Sequence, residues 1–392
     1  MRRLLLFLCV VLAACARPTP DNQGVPHNPP TLIAPTQFVE AQQPVTLNNV
    51  ANLKYLGRLD QPGTVSTIFS YALSPDATRL VALNNEEILA WNLLNGSLLF
   101  QTSRKDATRV FYSSDKTEVY AVNAGGMITV LDTNTGAIKN SFAGNPNYSG
   151  SLAYSADDGW LALGGTDGTV KVWDTYARQA LATISADTGA VSALAFSADG
   201  TQLATAENDG LVRVWHWRDS SKVAEVTLDL PITIRQVAFT PDASSLAIGT
   251  NRDARLWSLS NPKQIDTLDV GRGGAVQILQ FSPDGRYLLA GNQSAGLTLW
   301  TVTSRALGAH LPDTQGDTLA ASFSPDGNLL LTAVLNGKVS LWNLVQVTAQ
   351  TVNQANLDVG TQQILNVEWT DDGRLLMFFD ASGPIYLWGI GA

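Results

Sequence analysis

From residue 53 onward, apolar residues fall in short runs of four to six, and each run ends in turn chemistry. Val191-Ser192-Ala193-Leu194-Ala195-Phe196 reads as one strand, and Ser197-Ala198-Asp199-Gly200 as the turn that ends it. Asp and Gly suit that turn because the first hydrogen-bonds its own backbone and the second tolerates positive φ. Leu203-Ala204-Thr205-Ala206 is a second strand, and Asn208-Asp209-Gly210 is a tight hairpin. Leu211-Val212-Arg213-Val214-Trp215 alternates as a third strand, with a weaker fourth expected at Lys222 to Thr227. The pattern predicts four short strands in about 42 residues.

The unit recurs eight times. A Ser or Thr followed two positions later by Asp appears at Ser74, Ser113, Ser155, Ser197, Thr240, Ser282, Ser324 and Thr370, with spacings of 39, 42, 42, 43, 42, 42 and 46. An aromatic residue precedes seven of the eight, Leu73 being the exception. Seventeen or eighteen residues later comes a tryptophan (Trp91, Trp173, Trp215, Trp257, Trp300, Trp342, Trp388), with Leu131 in the second unit. Self-similarity at such a period, with four strands per unit, marks the blades of a propeller.

The aromatic-Ser-Pro-Asp-Gly turn, the Asp-Gly hairpin and the closing Trp173-Asp174 resemble WD repeats, and the resemblance spans roughly Leu53 to Trp388. It implies an all-β, eight-bladed WD-repeat-type β-propeller. Seven blades, with the divergent second unit outside the ring, is the alternative. Asp follows the terminal hydrophobe only at Asp132 and Asp174. The Gly-His pair of the family is replaced by Gly144-Asn145, Ala186-Asp187, Leu228-Asp229 and Gly271-Arg272, and Ser or Thr on the second strand survives clearly only as Thr205 and Thr332. The buried Asp–His–Ser–Trp network that the resemblance would imply is therefore expected to be absent or partial. The eighth unit lacks a fourth strand, and Leu53 to Leu59 reads as an orphan strand that would complete it and remove the open sheet edges.

The N-terminus reads as an address. Arg2 and Arg3 precede an apolar stretch, Leu4 to Ala14, that is short of the ~20 residues a spanning helix needs and has the proportions of a signal-peptide core. Leu12-Ala13-Ala14-Cys15 resembles a bacterial lipobox, which implies a signal peptide over 1–14 and a lipidated Cys15, the membrane partner being reached through that anchor. An ordinary secretory signal with a chance cysteine is the alternative. Residues 15–50 carry seven prolines among Asn, Gln and Thr and are expected to form a disordered tether, about 30–35 Å long by flexible-coil scaling. The propeller is then one domain over 51–392. The lipobox resemblance implies a protein outside the cytoplasm, lipid-anchored on the periplasmic or cell-surface side of a bacterial membrane.

Composition narrows the chemistry. Lys+Arg 25 against Asp+Glu 34 gives a net charge of −9 with no basic run, which argues against nucleic acid. Two cysteines and three histidines leave little for a zinc site or a disulfide framework, so no metal, cofactor or catalytic residue is expected. His216 stands in the Trp-Asp slot and His310 opens a loop; both read as structural or solvated. By resemblance, partners bind the face bearing the loops from strand four to strand one and from strand two to strand three. Candidate contacts there are Arg104, Tyr148, Asp187, Arg252, Arg272 and Asp313, and Trp217 is a candidate exposed contact where a third strand exits. The expected function is a monomeric, non-catalytic scaffold for protein or peptide partners. An envelope assembly factor and a propeller enzyme, either a metal-dependent hydrolase or a quinoprotein, remain alternatives.

Overall fold

A computed structural model describes residues 38–391 except 62–65, 156–158, 187–188, 220–223, 231, 271–273, 293–294, 312–317, 335–336, 349–350 and 360–362. It contains eight antiparallel four-stranded sheets. Blade 1 runs from Ser70 to Ser103, blade 2 from Ala107 to Ala143, blade 3 from Tyr148 to Ser185 and blade 4 from Val191 to Asp229. Blade 5 spans Ile234 to Leu268, blade 6 Ile278 to His310, blade 7 Thr318 to Leu357 and blade 8 Ile364 to Gly389. The expected strands of blade 4 appear at Val191–Phe196, Leu203–Glu207 and Leu211–Trp215, with the fourth at Ala224–Asp229. The first strands of blades 1 and 2, 3 and 4, 4 and 5, 5 and 6, and 7 and 8 adjoin around an axis, and shared apolar clusters join blades 2 and 3, 6 and 7, and 8 and 1, so the sheets stand as a ring.

Blade 8 contributes three strands, and Lys54–Leu59 pairs antiparallel with the third of them, from Lys54 opposite Gly389 to Leu59 opposite Ile385. The N-terminal strand thus closes the ring, and the second unit takes its place in it as blade 2. Two further ties hold the seam. The Gln61 amide donates to the Gly383 carbonyl at 2.8 Å, and Thr67 Oγ1 donates to the Ala381 carbonyl at 2.8 Å. Nearer the axis, the Tyr71 hydroxyl of blade 1 donates to Glu368 of blade 8 at 3.0 Å, and Ser322 of blade 7 donates to the same carboxylate at 3.1 Å. Burial first, then the Glu368 charge, holds the Tyr71 hydroxyl well above its ordinary value, so it stays a neutral donor.

Residues 38–50, expected as the end of a disordered tether, are instead docked on the ring. The Val39, Gln42 and Val45 amides donate to the carbonyls of Leu56, Ile390 and Gly373 at 2.8–2.9 Å. Val45 is buried among Leu329, Trp369 and Leu376, and Leu47 and Val50 pack beside it. These scattered apolar residues outweigh the local Pro, Gln and Asn signal, because blade 8 offers them a surface. Cys15 and residues 1–37 lie outside the described residues.

The apolar cores lie between blades. One cluster joins blades 8 and 1 through Leu56, Leu59, Leu80, Trp91, Phe379 and Leu387, and others join blades 3 and 4, 4 and 5, 5 and 6, 6 and 7, and 7 and 8. The largest spans blades 1, 2 and 3. Arginines stitch neighbouring blades on the face of the Ser-x-Asp turns, called lower below. Arg79 of blade 1 reaches Thr133 and Asn134 of blade 2, Arg178 of blade 3 reaches Glu118 of blade 2 at 2.7 Å, and Arg286 of blade 6 reaches the Gly327 carbonyl and Asn328 of blade 7.

The turn itself is the same in blade after blade. In blade 1 the buried Ser74 hydroxyl donates to Asp76 at 2.6 Å and accepts the Arg79 amide at 3.0 Å, while Asp76 accepts the Thr78 amide at 3.3 Å. Ser113, Ser197, Ser282, Ser324 and Thr370 repeat the hydroxyl-to-Asp bond at 2.6–2.7 Å. Partial burial pushes the Asp76, Asp115, Asp242 and Asp326 carboxyls up, but the hydrogen bonds outweigh it and leave all four low; Asp199 is held low first by Ser197. The fourth turn position has positive φ. Gly200, Gly285, Gly327 and Gly373 meet that need at 66–73°, whereas Ala77, Lys116 and Ala243 are forced to 56–64°.

An L-residue in the left-handed region costs about 1–2 kcal/mol, partly offset by the entropy of glycine. Ala243→Gly should therefore be neutral or stabilise by up to about 1 kcal/mol in urea unfolding. Gly327→Ala should destabilise, since its Cβ would sit 2.5 Å from the Asp284 carboxylate. The depressed turn carboxylates contribute stability that is fully present above their unfolded-state value near 3.8 and is lost as pH falls through the lower folded values. The thermal midpoint should change little between pH 7 and 5 and fall steeply below about pH 4, and Asp199→Asn should flatten that acid limb.

Candidate functional site

The face opposite the Ser-x-Asp turns, called upper below, carries the hairpins between second and third strands and the entries to the innermost strands. The innermost strands are irregular at that end. Register shifts between Ala107 and Arg109, Val191 and Ala193, Ile234 and Gln236, Thr318 and Ala320, and Ile364 and Asn366 leave one residue of each blade unpaired. Blade 3 has a wider shift, between Tyr148 and Leu152. A bulge re-aims the side chain it frees. Thr108, Ser192, Arg235 and Leu365 are therefore released from the ladder at the upper end of the axis. Thr108 and Ser192 spend their hydroxyls on the Val122 and Ala206 carbonyls of their own blades, at 3.0 and 3.2 Å. Arg235 is exposed and Leu365 half-buried. Phe69 holds the equivalent place in blade 1, with its amide bonded to the Leu83 carbonyl and its ring 40% exposed.

The upper mouth therefore has an apolar side, Phe69 and Leu365 on adjoining blades 1 and 8, and a guanidinium on blade 5, four blades away from blade 1. None of these three was singled out from sequence, because a one-residue bulge leaves no mark in the alternation of apolar and polar residues. Beside Arg235, Arg252 is exposed at the tip of its hairpin, and Arg255 pairs with Asp253 at 3.2 Å. In blade 4 the buried Glu207 pairs with Arg213, which also donates to the Ala186 carbonyl at 2.8 Å.

The residues expected to contact partners are dispersed. Arg104 is half-buried on the upper loop between blades 1 and 2, its guanidinium donating to the Ser103 carbonyl at 2.8 Å. Arg252 is exposed, as a contact residue would be. Tyr148 begins the first strand of blade 3 and is buried in the core of blades 1 to 3, so its ring is not offered to a partner. Asp187, Arg272 and Asp313 lie outside the described residues.

Trp217 corrects the expectation of an exposed contact. It is 1% exposed, donates from Nε1 to the Gly200 carbonyl at 2.9 Å, and packs edge-on against Trp160 at 5.2 Å and Phe196 at 6.0 Å. The chain leaves the third strand at His216 and turns back, which folds the following indole under blade 4 instead of outward. His216 is half-buried in the Trp-Asp slot, and His310 ends the fourth strand of blade 6 beside Thr298 Oγ1 at 3.2 Å.

The tryptophan network is partial, as the departures from the repeat pattern indicate. Trp215 donates to Thr205 at 3.0 Å and Trp342 to Thr332 at 2.9 Å, the two blades that kept a second-strand hydroxyl. Trp91 and Trp257 use the Asp60 and Pro262 carbonyls instead, and the indole nitrogens of Trp173, Trp300 and Trp388 meet no acceptor among the described residues. Among the described residues no group of three or more His, Cys, Asp or Glu could hold a metal, and no helix is long and apolar enough to cross a membrane.

Trp217→Ala is expected to be a stability lesion of about 3–5 kcal/mol, read as a lower denaturant midpoint. Arg252→Ala, on an open hairpin, should leave that midpoint within about 0.5 kcal/mol of the parent.

Comparison with known proteins agrees with this geometry. The chain shares its fold with a computationally designed protein, Ika8, at 21% identity and a TM-score of 0.68, covering 85% of this chain and 99% of that one. It is similar to the C-terminal WD40 domain of Sif2 at 13% identity and a TM-score of 0.65, covering 87% and 99% of the two chains. It also resembles a chain of the mitotic checkpoint complex at 16% identity and a TM-score of 0.56, covering 97% and 100%. No curated protein matches the chain. The family model described as the IFT122 first beta-propeller matches residues 106–389, from the start of blade 2 to the end of the third strand of blade 8. The chain belongs to the IFT122 first beta-propeller family, a family of WD-repeat propellers.

Proposed function

We propose that this protein is a non-catalytic, lipid-anchored scaffold outside the cytoplasm that binds a protein or peptide at the upper mouth of its propeller. The observation that carries the reading is the contrast between the two faces. Six Ser/Thr-x-Asp turns share the hydroxyl-to-Asp bond on the lower face, whereas the upper ends of the innermost strands hold different residues from blade to blade: Thr108, Ser192, Arg235 and Leu365 at bulges, and Phe69 at the equivalent place in blade 1. A scaffold that repeats everything needed for folding and varies what faces the axis is suited to recognition. An exposed Phe and an exposed Arg are the residue types that anchor interfaces, the one by desolvation and the other by its five donors. The partner that fits is a peptide loop or terminus that offers an apolar side chain to Phe69 and Leu365 and a carboxylate to Arg235.

The family supports this reading, since WD40 propellers commonly bind proteins, and one similar chain belongs to a checkpoint complex. The lipobox-like Leu12-Ala13-Ala14-Cys15 supports the anchor, because two or more acyl chains hold a protein stably where one is marginal.

Crosslinking in intact cells followed by mass spectrometry should yield a reproducible protein neighbour. Arg235→Glu and Phe69→Ala should each reduce its recovery about tenfold, the effect of losing about 1.4 kcal/mol, without moving the unfolding midpoint. Recovery unchanged in both variants would exclude the upper mouth. Cys15→Ser should release the protein from the membrane fraction, and a lipid-sized mass increment on the Cys15 peptide should be lost with it.

A further inference from the structure

The exposed large apolar side chains are not spread evenly over the ring. Leu94 and Tyr176 occupy the same place in the turns between third and fourth strands of blades 1 and 3. Leu98 and Ile138 both open the outermost strands of blades 1 and 2, Ile138 being 57% exposed, and Leu181 follows on blade 3. Tyr55 and Val345 continue the set onto blades 8 and 7. All seven lie toward the lower outer rim, in one sector centred on blade 1, and among the described residues the rims of blades 4, 5 and 6 carry no exposed large apolar side chain.

The chain enters the propeller at the centre of that sector. The Phe38 ring lies against Gly57 of the closing strand and Gly96 of the outer turn of blade 1; a Cβ on Gly96 would sit 2.5 Å from it. Because residues 38–50 are docked, only the 22 residues 16–37 separate the ring from Cys15. A flexible coil of that length averages about 25 Å, well under a propeller's width. The lower rim at blade 1 is therefore the part of the ring that an anchor at Cys15 would hold nearest to the membrane. Its composition suits a headgroup layer. Trp160 is half-buried with the Arg218 guanidinium 3.9 Å above its ring, and Lys139, next after Ile138 in the outermost strand of blade 2, pairs with Glu118 at 3.1 Å. Amphipathic rings and long cationic stems place their apolar part in lipid and their polar tip in water.

We propose that the lower rim of blades 7, 8, 1, 2 and 3 is a lipid-contact surface that rests on the membrane, so that the upper mouth points away from it. This rests on the anchor at Cys15 proposed above. Apolar groups on a rim that is tethered close to a bilayer lose water contact there at no further cost in translational freedom.

The test uses the full lipidated protein in phosphatidylcholine vesicles with and without brominated acyl chains. With Cys9 removed in the signal and the Cys15 thiol lipidated, an introduced cysteine is the sole thiol. Leu94→Cys and Ile138→Cys on the rim, and Met127→Cys and Arg252→Cys on the upper face, would each carry an environment-sensitive fluorophore. The expected result is loss of most of the fluorescence at 94 and 138 in brominated vesicles and none at 127 and 252. Protein that floats with the vesicles but shows no quenching at the rim overturns the rim proposal and leaves the anchor standing. Quenching at the upper sites reverses the orientation and also overturns it. Shielding of 94 and 138 in the same degree without lipid, together with a dimeric mass, assigns the rim to a second copy and overturns it. Protein that does not float removes the anchor and the rim proposal together.

Discussion

The second strand of every sheet is buried on both faces, and that constraint organises the rest. The second strands Ser245–Thr250, Tyr287–Asn292, Leu329–Val334 and Leu375–Asp380 are buried along their whole length. A sheet of that kind has no solvent side, so it must be covered front and back. Each blade therefore needs two neighbours, and a row of such sheets satisfies all of them only when it closes. Closure is completed by one six-residue strand, Lys54–Leu59, whose Leu56 and Leu59 sit in the core between blades 8 and 1. The docked segment 38–50 adds a second layer of cover, with Phe38 and Val39 packed on the core between blades 8 and 1 and Val45 in the core between blades 7 and 8.

With burial between blades supplying the cohesion, the two faces of the ring can serve different ends. The lower face is committed to structure: Ser and Asp side chains close each turn, and arginines bridge adjacent blades. A hydroxyl such as Ser74 Oγ, buried and yet both donating and accepting, leaves nothing for a ligand. The upper end of the axis is organised by register slips, which detach one residue from the ladder in blades 2, 4, 5, 7 and 8. A side chain so detached is free of the packing rules that fix its neighbours, which is why Arg235 can stand exposed beside strands that are wholly buried.

The sequence-to-structure correspondence follows the same division. Blade number, strand order, the orphan strand that closes the ring and the two retained Trp–hydroxyl bonds were all legible, since each depends on local pattern: alternation, turn chemistry, or a Thr ten positions before a Trp. Three features were not. Trp217 looked like an exposed residue past a strand end, but its burial comes from Trp160 of the preceding blade. Residues 38–50 looked disordered because Pro, Gln and Asn outnumber Phe38, Val39, Val45, Leu47 and Val50, whose docking depends on a surface built more than three hundred positions later; the seam bond between Gln61 and Gly383 spans 322. The mouth was invisible for a third reason, that a bulge is a relation between two strands and not a property of either.

The closing strand also dictates an order of events in folding. Lys54–Leu59 is made early and waits for Ile385–Gly389, more than three hundred positions further on, before it has a partner. Until then the inter-blade core of blade 1 that receives Leu56 and Leu59 lacks its other half, and blade 8 ends on an unpaired edge. Contacts of such sequence separation form slowly and leave edges open to other chains. Completion of the ring therefore sets when these edges stop being open to association with other chains.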